Sequence, residues 1–304
     1  MSRAALYDTT GGPEVFYIGD VPEPEPGPGQ VVVRVRAAGL NPVDAKVRSG
    51  FIPSDAPFPR RVGSDLAGTV IAVGDGAAYG DGTPVAVGDE VLGRGSGAVA
   101  ERSVADAAEL TIRPPGLPVD VAGGLWIAGL TAVSCLATVP VDAGDVVLVG
   151  GSAGGVGLVA AQLAAATGAR VIGTANPRDA EFLASLGIEP VAYGEGLVDR
   201  LPPAGTITAV IDCHGRDALD AGIALGVPVD RMVAIAAYAA LAELGVHNVE
   251  RSARTAKNLA ALADRIAAGE LVLPVAQAFP LEEIVAAFEA LESSHGPGKI
   301  VVLP

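Results

Sequence analysis

The chain is short of lysine, aromatic residues, cysteine and histidine. Among its 304 residues three are lysine against seventeen arginine, 4% are aromatic, two are cysteine and three are histidine. Basic residues number 20 against 35 acidic, a net charge of −15. Nucleic-acid binding shows first as a basic footprint, so this balance argues against such a partner. It describes a solvated acidic surface that keeps the chain in solution. Cys135 and Cys213 stand in apolar runs rather than in paired spacings. That excludes a disulfide framework and a thiolate zinc knuckle, and it suits a reducing, cytoplasmic compartment. Asp8 and Glu14 come early and no apolar run follows a basic start, so no secretory leader is expected. Val121–Val141 has no charge, but Gly123, Gly124, Gly129 and Pro140 interrupt it, and Asp120 and Asp142 flank it. The expectation there is a buried helix rather than a membrane span.

What the chain has is apolar material: half its residues are hydrophobic, and Ala, Val, Leu and Gly must fill most of the core. The length suggests about two domains. Over residues 1–120 the texture is β. A proline-rich loop, VPEPEPGPG, precedes QVVVRVRAAGL, where Val alternates with Arg, and LAGTVIAVG and DEVLGRG follow between turn residues. Short strands with dense turn signals predict a small β-rich domain, a partly open barrel. From residue 121 apolar strands alternate with alanine-rich helical stretches: VVLVG, VGLVAAQLAAATG, RVIGTA, PRDAEFLASLG, TAVIDCHG, RMVAIA. Strands that are apolar throughout are buried on both faces, which predicts a parallel sheet covered by helices, a doubly wound α/β domain over 121–252. Residues 253–304 return to short helix and strand pieces and are expected to rejoin the first domain.

The chemistry lies in Val146–Asp179, VVLVGGSAGGVGLVAAQLAAATGARVIGTANPRD. A buried strand, a glycine turn and a proline-free helix follow one another. At a helix N-terminus the unpaired N–H groups and the positive end of the dipole suit a pyrophosphate. The loop is read as dinucleotide-binding through Ser152, Ala153, Gly154, Gly155, Val156 and Gly157, with Ser152 in the place of the usual first glycine. Gly154 admits the phosphates and Gly157 lets the helix close on the strand. An NAD site carries a carboxylate about 20 residues further on for the ribose 2′-hydroxyl. Here that place falls in GTANPRD, where no acid precedes Asp179. Arg178 offers a charged fork suited to a phosphate, and Thr174 and Asn176 offer neutral hydrogen bonds, so the cofactor expected is NADPH.

These residues resemble the zinc-independent quinone oxidoreductase family of the medium-chain dehydrogenase/reductase superfamily. The runs that carry the likeness are AAGLNPVDAKVRSG (37–50), GSDLAGTVIAVG (63–74), VGDEVLG (87–93), AGLTA (128–132), GGSAGGVG (150–157), GARVIGTANPRDAEFLASLG (168–187) and GKIV (298–301). The resemblance implies a GroES-like substrate domain with a Rossmann domain, NADPH dependence and a homodimer. Zinc-dependent relatives carry Cys and Gly-His-Glu where this chain has Gly39-Leu40-Asn41 and Gly63-Ser64-Asp65, and His214, His247 and His295 have no ligand spacing, so no metal is expected. Without a Lewis acid, the acceptor should be one that delocalises incoming hydride, a quinone or an α,β-unsaturated carbonyl. The polar cluster expected nearest the acceptor oxygen is Asn41, Asp44 and Lys46. Asn41 is its hydrogen-bond donor, and Lys46 is either a proton source or a partner of Asp44. Phe51 stands where relatives often have Tyr and reads as an apolar wall. By resemblance Thr131 lies near the nicotinamide. Cys213 and Ala236 follow strands at the ligand-binding edge of the sheet and are expected to touch the cofactor, and Tyr238 to line the pocket. Two other functions fit the same residues: a discrete enoyl reductase acting on a thioester-bound intermediate, and a non-catalytic NADPH-binding sensor.

Overall fold

Two-residue periodicity builds the first part of the chain. Strands β1 (Ser2–Tyr7) and β2 (Tyr17–Val21) pair antiparallel. Strand β3 (Gln30–Gly39) buries its valines while Arg34 and Arg36 face outward. Helix α1 (Pro42–Arg48) follows at once, then the two-residue β4 (Arg60–Arg61), β5 (Asp65–Val73), β6 (Glu90–Arg94), β7 (Arg102–Asp106), β8 (Leu110–Ile112) and helix α2 (Val119–Gly123). The parallel-sheet part comprises α3 (Leu125–Thr138), β9 (Val146–Gly150), α4 (Gly155–Ala165), β10 (Arg170–Ala175), α5 (Ala180–Ser185), β11 (Glu189–Ala192), α6 (Leu197–Arg200), β12 (Ala209–Asp212), α7 (Asp217–Ala224), β13 (Met232–Ala234) and α8 (Tyr238–Leu244). The chain ends with α9 (Ala256–Ala267), β14 (Val275–Pro280), α10 (Ile284–Glu292) and β15 (Lys299–Leu303).

This computed structural model describes residues 1–293 and 295–304. It divides into two units, Met1–Ile127 with Thr255–His295 and Lys299–Pro304, and Ala128–Arg254 with Gly296–Gly298. In the first unit β3 is the organising strand. It pairs antiparallel with β5, β7 and β15, and β15 carries the parallel edge strand β14. The core there joins Val31, Val33, Val35, Leu66 and Val70 to Phe16 and Phe288. Arg48 is buried among them with its guanidinium over both rings, 5.8 and 5.7 Å from their centroids, and its Nη2 donates to Glu292 (2.8 Å). A guanidinium is weakly hydrated enough to stack this way, where an ammonium is not.

The second unit is a five-stranded parallel sheet in the order β11-β10-β9-β12-β13. Sequence order runs one way from β9 to β11 and the other way from β12 to β13, so the switch point lies between β9 and β12. Ligands of such sheets bind beyond the carboxyl ends of the strands at that point. The turn after Gly150 and the turn after Asp212 both begin there.

Candidate cofactor and substrate sites

The glycine turn is built on a three-residue spacing, Gly151, Gly154 and Gly157. Gly151 has φ +68°, in the left-handed region, and a Cβ there would lie 2.6 Å from the Cβ of His214. A Cβ on Gly157 would lie 2.2 Å from the Gly151 carbonyl oxygen, so only glycine lets α4 start this close to β9. Gly154 is the N-cap of α4, and Gly155, Val156 and Gly157 form the first turn, whose N–H groups have no acceptor one turn earlier in the helix. Ala153 lies in the same turn, and its carbonyl accepts from Gly298 N–H (2.9 Å).

Ser152, expected in the first-glycine role, has another one. It is fully buried, and its N–H (2.9 Å) and hydroxyl (3.1 Å) both donate to the Thr174 carbonyl. Thr174 is also buried, and its hydroxyl oxygen accepts from Gly151 N–H (3.0 Å). The pair ties the turn to β10. The Thr174 hydroxyl oxygen is thus engaged as an acceptor inside the chain, which leaves its O–H to donate. Gly151 does the work expected of residue 152, and the regular G-x-x-G-x-x-G spacing was the signal for it.

Beyond β10, Asn176 caps a short turn, its Oδ1 accepting from Arg178 N–H (3.1 Å). Arg178 is half exposed, with Nε 3.7 Å from the Asp179 carboxylate. A pocket of about 150 Å³ opens here, lined by Ala175, Asn176, Pro177, Ala180 and Val191. Register pairs Ala175 with Ala192, which puts Tyr193 beside Asn176 at the ends of neighbouring strands. The Tyr193 ring stands 5.7 Å from that of His214. Arg200 fastens this loop by donating to the carbonyls of Ala192 and Glu195. Tyr193 carries no sequence motif, and only the register of β11 brings it to this place.

In the first unit Asn41, Asp44, Asp65 and Lys299 form one buried cluster, each 9% exposed or less. Lys299 Nζ donates to the Leu40 carbonyl (2.7 Å) and to Asn41 Oδ1 (2.5 Å), and lies 3.8 Å from Asp65 Oδ2. Asp44 accepts from Asn41 N–H (2.9 Å), and Asp65 Oδ1 accepts from Ile127 N–H (3.2 Å). Burial, then the neighbouring Asp65, pushes the Asp44 carboxyl up to about 7. Burial also raises Asp65 and lowers Lys299. Glycines make room: a Cβ on Gly39 would meet Gly124 at 2.7 Å, and one on Gly124 would meet the Lys299 stem at 3.2 Å. Lys46 is half buried on α1. A lysine heading an apolar strand, as in KIVVL, is rarely buried without a carboxylate, and that was the overlooked sign of Lys299 and Asp65.

The remaining expected residues stand on other elements. Phe51 is 69% exposed, so it forms no buried apolar wall. Tyr238 is 44% exposed at the start of α8, and Ala236 is half-buried just before it. Thr131 is buried in α3, its Oγ1 accepting from Arg254 Nη2 (3.2 Å). The Cys213 thiol shares a hydrogen bond with that of Cys135, which together with burial holds its pKa above the usual range. Among the described residues no group of three or more His, Cys, Asp or Glu could hold a metal ion, and no helix is long and apolar enough to cross a membrane.

Two family models match the chain, the alcohol dehydrogenase GroES-like domain over residues 27–128 and the zinc-binding dehydrogenase over 189–302. The chain is 31% identical over 320 residues to the chloroplastic NADPH-dependent alkenal/one oxidoreductase of Arabidopsis thaliana, covering 99% of this chain and 79% of that protein. It is also 31% identical over 331 residues to a quinone oxidoreductase of Pseudomonas aeruginosa, covering all of both. A mycobacterial protein solved in complex with NADPH superposes with a TM-score of 0.86 at 30% identity over the whole of both chains.

The switch point supplies a pH test. Asp212 ends β12 with Oδ1 accepting from Gly215 N–H (3.3 Å) and Oδ2 buried without a hydrogen-bond partner among the described residues. Burial raises its carboxyl to about 6. Its folded pKa therefore lies above the unfolded value. The neutral group's contribution is whole below the unfolded pKa and is lost as pH rises through about 6. D212N removes that loss and is expected to be more stable than the parent near pH 8 by roughly 1–2 kcal/mol, with the gain gone near pH 4. Urea unfolding at the two pH values measures it, and a gain independent of pH would refute the assignment.

Proposed function

The chain belongs to the quinone oxidoreductase family of the medium-chain dehydrogenase/reductase superfamily, and from that footing we propose that it reduces a quinone or an α,β-unsaturated carbonyl with NADPH. The observation that carries the cofactor choice is the end of β10: a glycine turn of the right build is followed not by a carboxylate but by Asn176 and Arg178. NADPH, when bound, supplies the hydride. The first turn of α4 holds the pyrophosphate on its N–H groups, with the dipole of α4 favouring negative charge. Arg178, Asn176 and Tyr193 hold the 2′-phosphate end. Asn41 donates a hydrogen bond to the acceptor's carbonyl oxygen, and Asp44 with Lys299 fixes its orientation. Thr131 sets the nicotinamide, the backbone at Cys213 and Ala236 lines the cofactor, and Phe51, Lys46 and Tyr238 border the acceptor.

The residues do not fit a catalytic zinc. The Cys and His positions of metal-dependent relatives are held by Asn41 and Ser64, and the Lys299 ammonium already lies between Asn41 and Asp65. A cation there competes with a metal ion for the same oxygens. The work of a Lewis acid therefore falls to acceptors that spread charge themselves. We also propose a cytoplasmic homodimer built through the edge of the parallel sheet at β13.

Four measurements test this reading. NADPH and NADH oxidation, followed against a panel of quinones and conjugated enones, should show turnover with NADPH well above NADH. Arg178→Ala should raise KM for NADPH about tenfold or more and leave that for NADH nearly unchanged; equal effects would remove the 2′-phosphate role. Asn41→Ala should lower kcat about tenfold or more with NADPH affinity intact, and an unchanged rate returns Asn41 to structure alone. Light scattering at micromolar concentration should give twice the chain mass, and a single-chain mass rejects the dimer.

A further inference from the structure

Helix α3 lies in a stretch with no charged residue between Asp120 and Asp142. Its polar residues nonetheless share one face: Thr131, Ser134, Cys135 and Thr138 stand at i, i+3, i+4 and i+7. The segment Glu250–Arg254 is pinned along that face at two points. Glu250 N–H donates to Thr138 Oγ1 (2.9 Å), and Arg254 Nη2 donates to Thr131 Oγ1 (3.2 Å). The two threonines are seven residues apart, about two helical turns, so the segment is held in place rather than hung from one bond.

Arg254 is half-buried, and its Nε is buried without a hydrogen-bond partner among the described residues. It forms no ion pair among those residues. Burial, and then Arg251 beside it, weakens its hold on its proton. Two other arginines without carboxylates compare instructively. Arg61 donates to the carbonyls of Gly97 and Arg102, and Arg200 to those of Ala192 and Glu195. Arg254 has neither carboxylate nor carbonyl, only one hydroxyl for five N–H groups. Acidic residues outnumber basic ones by 15 in this chain, so the missing counter-charge is not for want of supply.

We propose that Arg254, steadied by Thr131, is a binding residue for a negatively charged oxygen brought by a ligand. A half-buried guanidinium whose Nε has neither solvent contact nor an anion is unfavourable, and a phosphate or an oxygen gaining negative charge supplies the pairing through charge-assisted, two-pronged hydrogen bonds. Two sources supply that chemistry: a phosphate of the dinucleotide, or the carbonyl oxygen of the acceptor as hydride arrives at its β-carbon. The second rests on the reductase reading given above, and the first rests only on dinucleotide binding.

The test uses R254Q, which removes the charge and leaves a shorter polar side chain, and R254K, which keeps charge but loses the fork. Nicotinamide fluorescence gives Kd for NADPH and NADH. At saturating NADPH, kcat is measured on neutral enones. Binding of 4-nitrophenolate to the NADP⁺-loaded protein is compared with that of neutral 4-nitroanisole. If the ligand is a dinucleotide phosphate, R254Q weakens NADPH and NADH alike by tenfold or more. If it is the acceptor oxygen, Kd stays put while kcat and nitrophenolate affinity fall tenfold or more, nitroanisole is unaffected, and R254K recovers part of the loss. Values within twofold of the parent in every arm overturn the proposal and leave Arg254 a packing residue. A parent that turns over no acceptor, yet whose nitrophenolate or NADPH binding depends on Arg254, rejects the reductase reading and keeps the site.

Discussion

A single buried ammonium orders the chemistry of the first unit. Lys299 begins the last strand and is buried, 5% exposed, so its charge is largely withdrawn from bulk solvent. Its stability therefore depends on the Leu40 carbonyl, the Asn41 amide and the Asp65 carboxylate. A buried charge is tolerable only when paired and hydrogen-bonded. The same contacts dictate which way the Asn41 amide points: its oxygen accepts from the ammonium, and its Nδ2 faces the Gly39 carbonyl (3.4 Å) and the Asp65 carboxylate. Around them space is tight: a Cβ at position 39 would strike the Gly124 backbone at 2.7 Å, and one at position 124 would crowd the lysine stem at 3.2 Å. The last strand, the strand-to-helix corner at Asn41 and the head of β5 are thereby fixed by one charge.

The second unit solves a different problem, how to bring backbone close to a polyanion. The solution is steric more than electrostatic. Gly151 takes a φ other residues avoid, and Gly157 brings the helix onto the turn. Ser152 and Thr174 lock that turn to the neighbouring strand. Positive charge is sparing, with Arg178 at one end of the sheet and Arg254 against Thr131 of α3. In a chain of strong negative charge this places attraction locally and leaves the rest of the surface to repel non-specific anions.

The architecture was legible where periodicity carries it. Alternating Val and Arg gave away β3, and strands apolar throughout gave away the parallel sheet, because burial on one face or two leaves different patterns. The glycine turn was legible as a phosphate loop but read one residue out of register, since the G-x-G-x-x-G template put Ser152 where Gly151 serves. Sequence also does not show that the Ser152 hydroxyl is spent on the Thr174 carbonyl, or that the Thr174 hydroxyl oxygen accepts from the neighbouring turn. Lys299 and Asp65 were seen only as parts of motifs, since their meeting depends on the pairing of β15 with β3 across more than 200 residues. Arg254 left no mark at all. Its partner Thr131 lies 123 positions away, and nothing local in VERSART distinguishes it from a solvated arginine.

The scarcity of lysine and cysteine has a bearing on durability. Quinones and enones are electrophiles that add to thiolates and to unprotonated amines. Of three lysines one is buried and one half-buried, and of two cysteines one is buried and the other half-covered beside it. The cationic surface is almost entirely guanidinium, which keeps its proton at any physiological pH and so presents no lone pair. A chain built this way offers few amine and thiol atoms for a quinone or an enone to alkylate.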